Sequence, residues 1–324
     1  MQVFSPKSSP PSLKVRLLYR VPLLVRDSSS VGESHWVRAA SGLLADDKFL
    51  WIIQDDTPAL IRFSAGTAAI EGFPLFPGMS AFPAPDPKPQ KLDLEAATWV
   101  PPFPSNGAKQ LLLFGSGSRP YREKIASLLL LNDIPSEISL SHAPHLYALL
   151  RAFLAPSAEL NIEGVVWLPD TDVLRFFQRG TPQTPNATCD LPWNAVQEYL
   201  QQPERASLPS PLNLYGYELG TLSGVPLSFT DATYHPAGIF YTAVAEATDN
   251  AYEDGPVIGS VVGWIDTKGA LLQAPLRDAD GALLPIKVEG IARDPHHPYR
   301  FYLVTDPDDA SQPSELLWIE VDMP

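Results

Sequence analysis

Four carboxylates in this chain stand at the heads of short apolar runs, each followed at once by a small residue: Glu95-Ala96, Glu163-Gly164, Asp231-Ala232 and Glu289-Gly290. Ser41-Gly42 has the same form with a hydroxyl in place of the acid. Hard oxygen donors with neither Cys nor His among them suit Ca2+ or Mg2+ rather than zinc. Such chemistry requires the acids to meet. Two like charges 4 Å apart cost roughly 4 kcal/mol at an effective dielectric of about 20. A site that gathers four of them must therefore protonate some, recruit a basic side chain or bind a cation.

The elements that could bring them together are hairpins. Five segments share one grammar, at 40–56, 93–118, 161–180, 229–249 and 288–309. A polar residue and a small one open a short apolar run, a turn rich in Pro, Asp, Gly or Asn follows, and a second apolar run ends in a polar cluster. Two strands of about five residues and a tight turn account for that length. The hairpins start at 41, 95, 163, 231 and 289, so sectors of about 65 residues tile the chain, longer than the blades of about 40–50 residues in known propeller repeats. One hairpin cannot bury its apolar face alone. Regular hairpins without strand–helix–strand alternation point to radial repetition. The expected fold is an all-β, five-bladed β-propeller in one domain over 1–324, with a strand at about 13–25 closing the last blade. A six-bladed ring and a two-sheet sandwich are the alternatives. Helices are expected at 140–154, with Ser141 as N-cap, and at 190–202, both on an edge of the disc.

In that fold the first strand of each blade runs along the axis. Glu95, Glu163, Asp231, Glu289 and Ser41 would face one channel, as ligands of a Ca2+ or Mg2+ ion or as caps around water. The second strands end at the same face and bring Gln54, Asp55, Asp56, Ser116, Gln178, Arg179, Glu246 and Asp306. Of these, Asp306, Asp55 and Glu246 are the candidate bases. Arg179 and Arg119, with Ser116 and Gln178, would orient a small anionic molecule. Arg119 lies in "FGSGSRPYREK" (114–124), a Gly/Ser loop able to cradle an anion, but no Walker loop.

The stretches "DLEAA", "NIEGVV", "FTDATYHPAGIFYTAVAEATD" and "VEGIA…LVTDPDD" resemble an uncharacterised bacterial β-propeller family. That family is distantly similar to the esterase-like phytase proteins and, more remotely, to the gluconolactonase and strictosidine-synthase propellers. The resemblance implies an axial metal held by carboxylates at the starts of inner strands, with Glu163 and Glu289, then Asp231 and Glu95, as ligands. The lead expectation is a cation-dependent hydrolase of a small ester, lactone or phosphoester. A non-enzymatic scaffold or ligand-binding protein with a structural axial cation or water is the rival.

A formal charge of −14 and a pI near 4.8 repel nucleic acid and anionic lipid. No apolar run approaches the roughly 20 residues of a membrane span, and the first 25 residues do not read as a signal peptide, so a cytoplasmic protein is expected. The lone Cys189 excludes an internal disulfide framework. His142 and His145 read as surface residues of the first helix, and His235, His296 and His297 as turn residues.

Overall fold

The computed structural model describes residues 1–6, 12–25, 36–79, 91–102, 108–181, 184–247 and 255–324. They form five antiparallel sheets in chain order. Blade 1 consists of Ala40–Ala45, Leu50–Gln54, Ala59–Ser64 and Ala69–Pro74. Blade 2 consists of Leu94–Val100, Lys109–Gly115, Lys124–Leu131 and Ile134–His142; the turn of its first hairpin, 103–107, lies outside the described residues. Blade 3 consists of Ile162–Leu168, Val173–Gln178, Asn186–Pro192 and Asn213–Tyr217, with Gln2–Phe4 added in parallel at its outer edge. Blade 4 consists of Val225–His235, Gly238–Glu246, Val257–Asp266 and Leu271–Pro275, with Thr221–Leu222 beside its inner strand. Blade 5 consists of Val288–Arg293, Arg300–Thr305 and Glu315–Asp322, and its outermost strand is Lys14–Pro22.

The inner strands touch their neighbours in a closed circuit, blade 1 to 2, 2 to 3, 3 to 4, 4 to 5 and 5 to 1. The fold is a five-bladed β-propeller. Each sheet is covered on both faces by its neighbours, which is why inner strands read as unbroken apolar runs rather than alternating ones. The core fills the spaces between blades. Phe177 of blade 3 meets Phe229 of blade 4 edge to face at 5.2 Å, and Phe240 and Phe301 join blades 4 and 5 at 4.3 Å. Small residues occupy the crowded positions near the axis. A Cβ on Gly290 would lie 2.6 Å from Val304 Cγ2 and 2.9 Å from Leu43 Cβ of the next blade.

The two helices are Pro144–Leu154 and Trp193–Gln201. Both start later than the sequence suggests. Ser141 is not a cap and His142 is not helical: they finish the outer strand of blade 2, paired with Ile125 and Lys124. The helix opens instead on Pro144, whose fixed φ suits the first helical position. Likewise Asp190–Pro192 still belong to a strand of blade 3. Leu146, Tyr147, Leu150 and Leu154 pack with Trp193, Val196 and Tyr199 into the core shared by blades 2 and 3. Among the described residues no helix is long and apolar enough to cross a membrane.

Candidate functional site

Every inner strand carries a register shift, near its start in blades 1, 2, 3 and 5 and midway along Val225–His235 in blade 4. The shifts fall between Ala40 and Gly42, Leu94 and Ala96, Ile162 and Gly164, Phe229 and Asp231, and Val288 and Gly290. A bulge leaves one residue out of the ladder and re-aims its side chain. The five residues so displaced are Ser41, Glu95, Glu163, Thr230 and Glu289. The fourth equivalent position is therefore Thr230, and Asp231 stands one residue further on, where the other blades place Gly or Ala. The two hydroxyls act alike: Ser41 Oγ donates to Leu94 O at 2.6 Å and Thr230 Oγ1 to Val288 O at 2.7 Å. Each ties its own bulge to the next blade.

The carboxylate of Asp231 is buried and accepts from the backbone N–H of Ala232 (2.7 Å) and of Ile291 (2.8 Å). It stitches blade 4 to blade 5. Burial, reinforced by Glu289, pushes its carboxyl well above the ordinary range.

Lys91 and Asp93 stand just before the inner strand of blade 2 and come close to Glu95, as Asn161 does to Glu163 before blade 3 and Lys287 to Glu289 before blade 5. Lys91 Nζ lies 2.6 Å from Asp55 Oδ2 and 2.9 Å from Asp93 Oδ1. Arg122 Nη1 lies 2.7 Å from Asp93 Oδ2, which also accepts from Ser116 Oγ. Asn161 donates to Glu163 Oε1 at 2.6 Å, and Arg179 bridges Glu163 Oε1 (3.3 Å) and Glu246 Oε2 (2.7 Å). Lys287 Nζ lies 3.2 Å from Glu289 Oε1 and 2.9 Å from Asp308 Oδ1. The charges of these groups act on one another around the circuit: Glu95 on Asp55, Asp93 and Glu163; Glu163 on Glu289; Glu289 on Asp306; Asp306 on Asp55. Carboxyls outnumber cations here. Burial pushes up the carboxyls of Asp55, Glu95 and Glu163, that of Glu289 to about 8 and that of Asp306 to about 7. Glu289 is 4% exposed and its Oε2 has no hydrogen-bond partner among the described residues. Ligand atoms of Asp55, Asp93 and Glu95 lie within 4.8 Å of one another.

Thus Glu95, Glu163 and Glu289 share the network with Asp55, Arg179, Glu246, Asp306 and Ser116. Gln178 is wholly buried and tied to backbone, accepting from Asn161 N at 2.9 Å and donating to Arg179 O at 2.7 Å; Gln54 accepts in the same way from Arg38 N at 3.2 Å. Asp56 pairs with Arg38 at 2.9 Å, and Arg119 with Glu159 at 3.0 Å. Of the basic residues in the Gly/Ser loop, Arg122 is the one that reaches Asp93. His235 ends the inner strand of blade 4, far from the bulge, where its Nδ1 accepts from Ala237 N at 3.0 Å. Lys91, Asp93, Arg122 and Lys287 are missed by the hairpin pattern.

A family profile described as "Family of unknown function (DUF6929)" matches residues 36–321. The chain belongs to this family. No curated protein matches this DUF6929 member. Among solved structures it is similar in fold to a glutaminyl cyclase of Myxococcus xanthus (12% identity, 97% of this chain and 100% of that one, TM-score 0.45). It is likewise similar to a luciferin-regenerating enzyme (11%, 89% and 92%, TM-score 0.48) and to the calcium-binding protein regucalcin of Agrobacterium tumefaciens C58 (11%, 100% and 97%, TM-score 0.40). At these values the likeness is one of chain fold alone.

Proposed function

We propose that the carboxylate-rich mouth of this propeller binds a divalent cation, Ca2+ or Mg2+, and hydrolyses a small ester, lactone or phosphoester there. The observation that carries the reading is the closeness of Asp55, Asp93 and Glu95, three hard oxygen donors on adjoining blades. The donor set suits such an ion. Lys91 already spans two of the three, so an ion must share those oxygens with the ammonium or displace it. A bound cation would polarise the scissile oxygen and lower the pKa of a water.

The remaining groups supply orientation and proton transfer. Arg179, held between Glu163 and Glu246, presents a fixed positive charge to an anionic substrate. Asp306, pushed to about 7 by burial, accepts a proton at neutral pH, while Glu289, at about 8 with Oε2 unengaged, retains one to give. Acids tuned near the working pH suit general acid–base transfer. Purified protein should contain Ca2+ or Mg2+ by elemental analysis, and chelation should lower its melting temperature. A panel of esters, lactones and phosphoesters should show turnover that Glu95→Gln and Asp306→Asn each reduce at least 100-fold. Bound metal with no turnover on any member would leave a structural cation and sink the hydrolase.

A further inference from the structure

The inner strands end at the other face of the disc, and there the lining changes character. From the bulge at Glu95 to Trp99 is about 13 Å at about 3.3 Å per strand residue. A depression of about 300 Å3 opens at that face, and the final residues of all five inner strands line it, among them Thr98, Trp99, Trp167, Tyr234 and Arg293, with Pro295 at the rim. Its volume is at the small end of the range for ligand pockets. Among the described residues no Asp or Glu lines it, although the chain as a whole carries −14.

The polar atoms of the rings are anchored away. Trp99 Nε1 donates to Ala45 O at 3.2 Å, Trp167 Nε1 to Asp172 Oδ1 at 3.1 Å, and Tyr234 Oη to Asp170 Oδ2 at 3.2 Å. These bonds fix the rings, each of which packs in part on an inter-blade core and lines the hollow with the remainder. Arg293 is the cation of the wall, half-buried, and it makes no ion pair with any carboxylate among the described residues. Its neighbour in sequence, Asp294, points to the opposite face of the strand, where it accepts from Trp318 Nε1 at 3.2 Å and lies 3.1 Å from His297. An arginine half withdrawn from water and without a carboxylate partner keeps its guanidinium N–H donors available to an anion. Elsewhere in this chain buried basic side chains are paired: Arg175 with Asp190, Arg179 with Glu163 and Glu246, Lys287 with Glu289.

We infer that this aromatic mouth is a second binding site, for a small organic carboxylate that carries a flat ring, its carboxylate on Arg293 and its ring against Trp99, Trp167 and Tyr234. Planar guanidinium grips a carboxylate through paired N–H donors, and aromatic walls favour a ring-bearing body over an inorganic anion. The site is independent of the carboxylate mouth.

The test uses 3-phenylpropionate and 2-naphthoate, each with its primary amide, titrated into the full chain with binding read by ligand-observed NMR and tryptophan fluorescence. The acids should bind with Kd below about 1 mM, and the amides at least tenfold weaker, about 1.4 kcal/mol. Arg293→Gln should weaken the acids at least tenfold with an unchanged melting temperature, and Asp55→Asn should bind them as the wild type does. Acid and amide binding within twofold, or no binding of any acid at 10 mM, would overturn the inference. The acid–amide comparison needs no variant, so a poorly folded Arg293→Gln protein leaves it decisive.

Discussion

Glu289 offers a quantitative check on the charge network. Its carboxyl is buried, and burial outweighs the attraction of Lys287, so the group titrates at about 8 in the folded protein, against about 4.3 in an unfolded chain. A folded pKa raised above the unfolded one contributes stability that is full below about pH 4 and lost as pH rises through about 8. Between pH 6 and 9 the native state sheds a proton that the unfolded state has already lost. The linkage is worth about 2–3 kcal/mol over that interval at 1.36 kcal/mol per unit. With an unfolding entropy of about 2.1 cal/mol/K per residue, a chain of this length moves its melting temperature by roughly 1.5 °C per kcal/mol, so about 3–4 °C is at stake. Glu289→Gln keeps the shape and removes the titration. Differential scanning calorimetry from pH 6 to 9, in chelator, should show the wild-type melting temperature falling with pH and the variant falling about 3 °C less. Parallel curves would refute the reasoning, because they would mean that Glu289 is ionised throughout and that Lys287 fully compensates its burial.

Two further outcomes concern the bulges. Thr230→Val removes the bond from Oγ1 to Val288 O and its contact with Thr242 Oγ1 at 3.0 Å, and should cost about 1–2 kcal/mol in urea denaturation, since it strands a buried carbonyl. Gly290→Ala puts a Cβ within 2.6 Å of Val304 Cγ2 and 3.0 Å of the backbone of Gly42. It should cost about 1–3 kcal/mol, whereas Gly66→Ala, which meets nothing within 4 Å, should stay within about 0.5 kcal/mol.

The ring is legible in the sequence because each blade repeats an acid or hydroxyl, a small residue and two apolar runs. Glu95, Glu163, Glu289 and Ser41 fall at equivalent bulges for that reason. Thr230 escapes notice because a bulge displaces one residue, and Asp231 beside it looks more like its counterparts than threonine does. Lys91 and Lys287 escape notice because each precedes the segment that carries the hairpin pattern, which opens at 93 and at 288, and Asp93 because it stands two residues before the acid that the pattern aligns. Their signal is the period-two alternation Lys91-Leu-Asp93-Leu-Glu95, echoed in Lys287-Val-Glu289. Arg122 sits in a short helical turn, Pro120–Arg122, between two strands of blade 2, where no periodicity marks which way a side chain will point. Nor does strand pattern reveal the aromatic mouth. Trp99 and Trp167 belong to runs that read as core, and only the closing of the circle turns strand ends into a rim.

The fifth sheet has consequences for biosynthesis. Its outermost strand, Lys14–Pro22, pairs with Glu315–Asp322, so two segments some three hundred residues apart must find each other. A nascent chain can assemble earlier sheets as they leave the ribosome, but it cannot seal the circle until the final segment has been synthesised. Until then the edge of Lys14–Pro22 is open to any stray strand, and a chaperone that shields it during translation would raise the yield of folded protein.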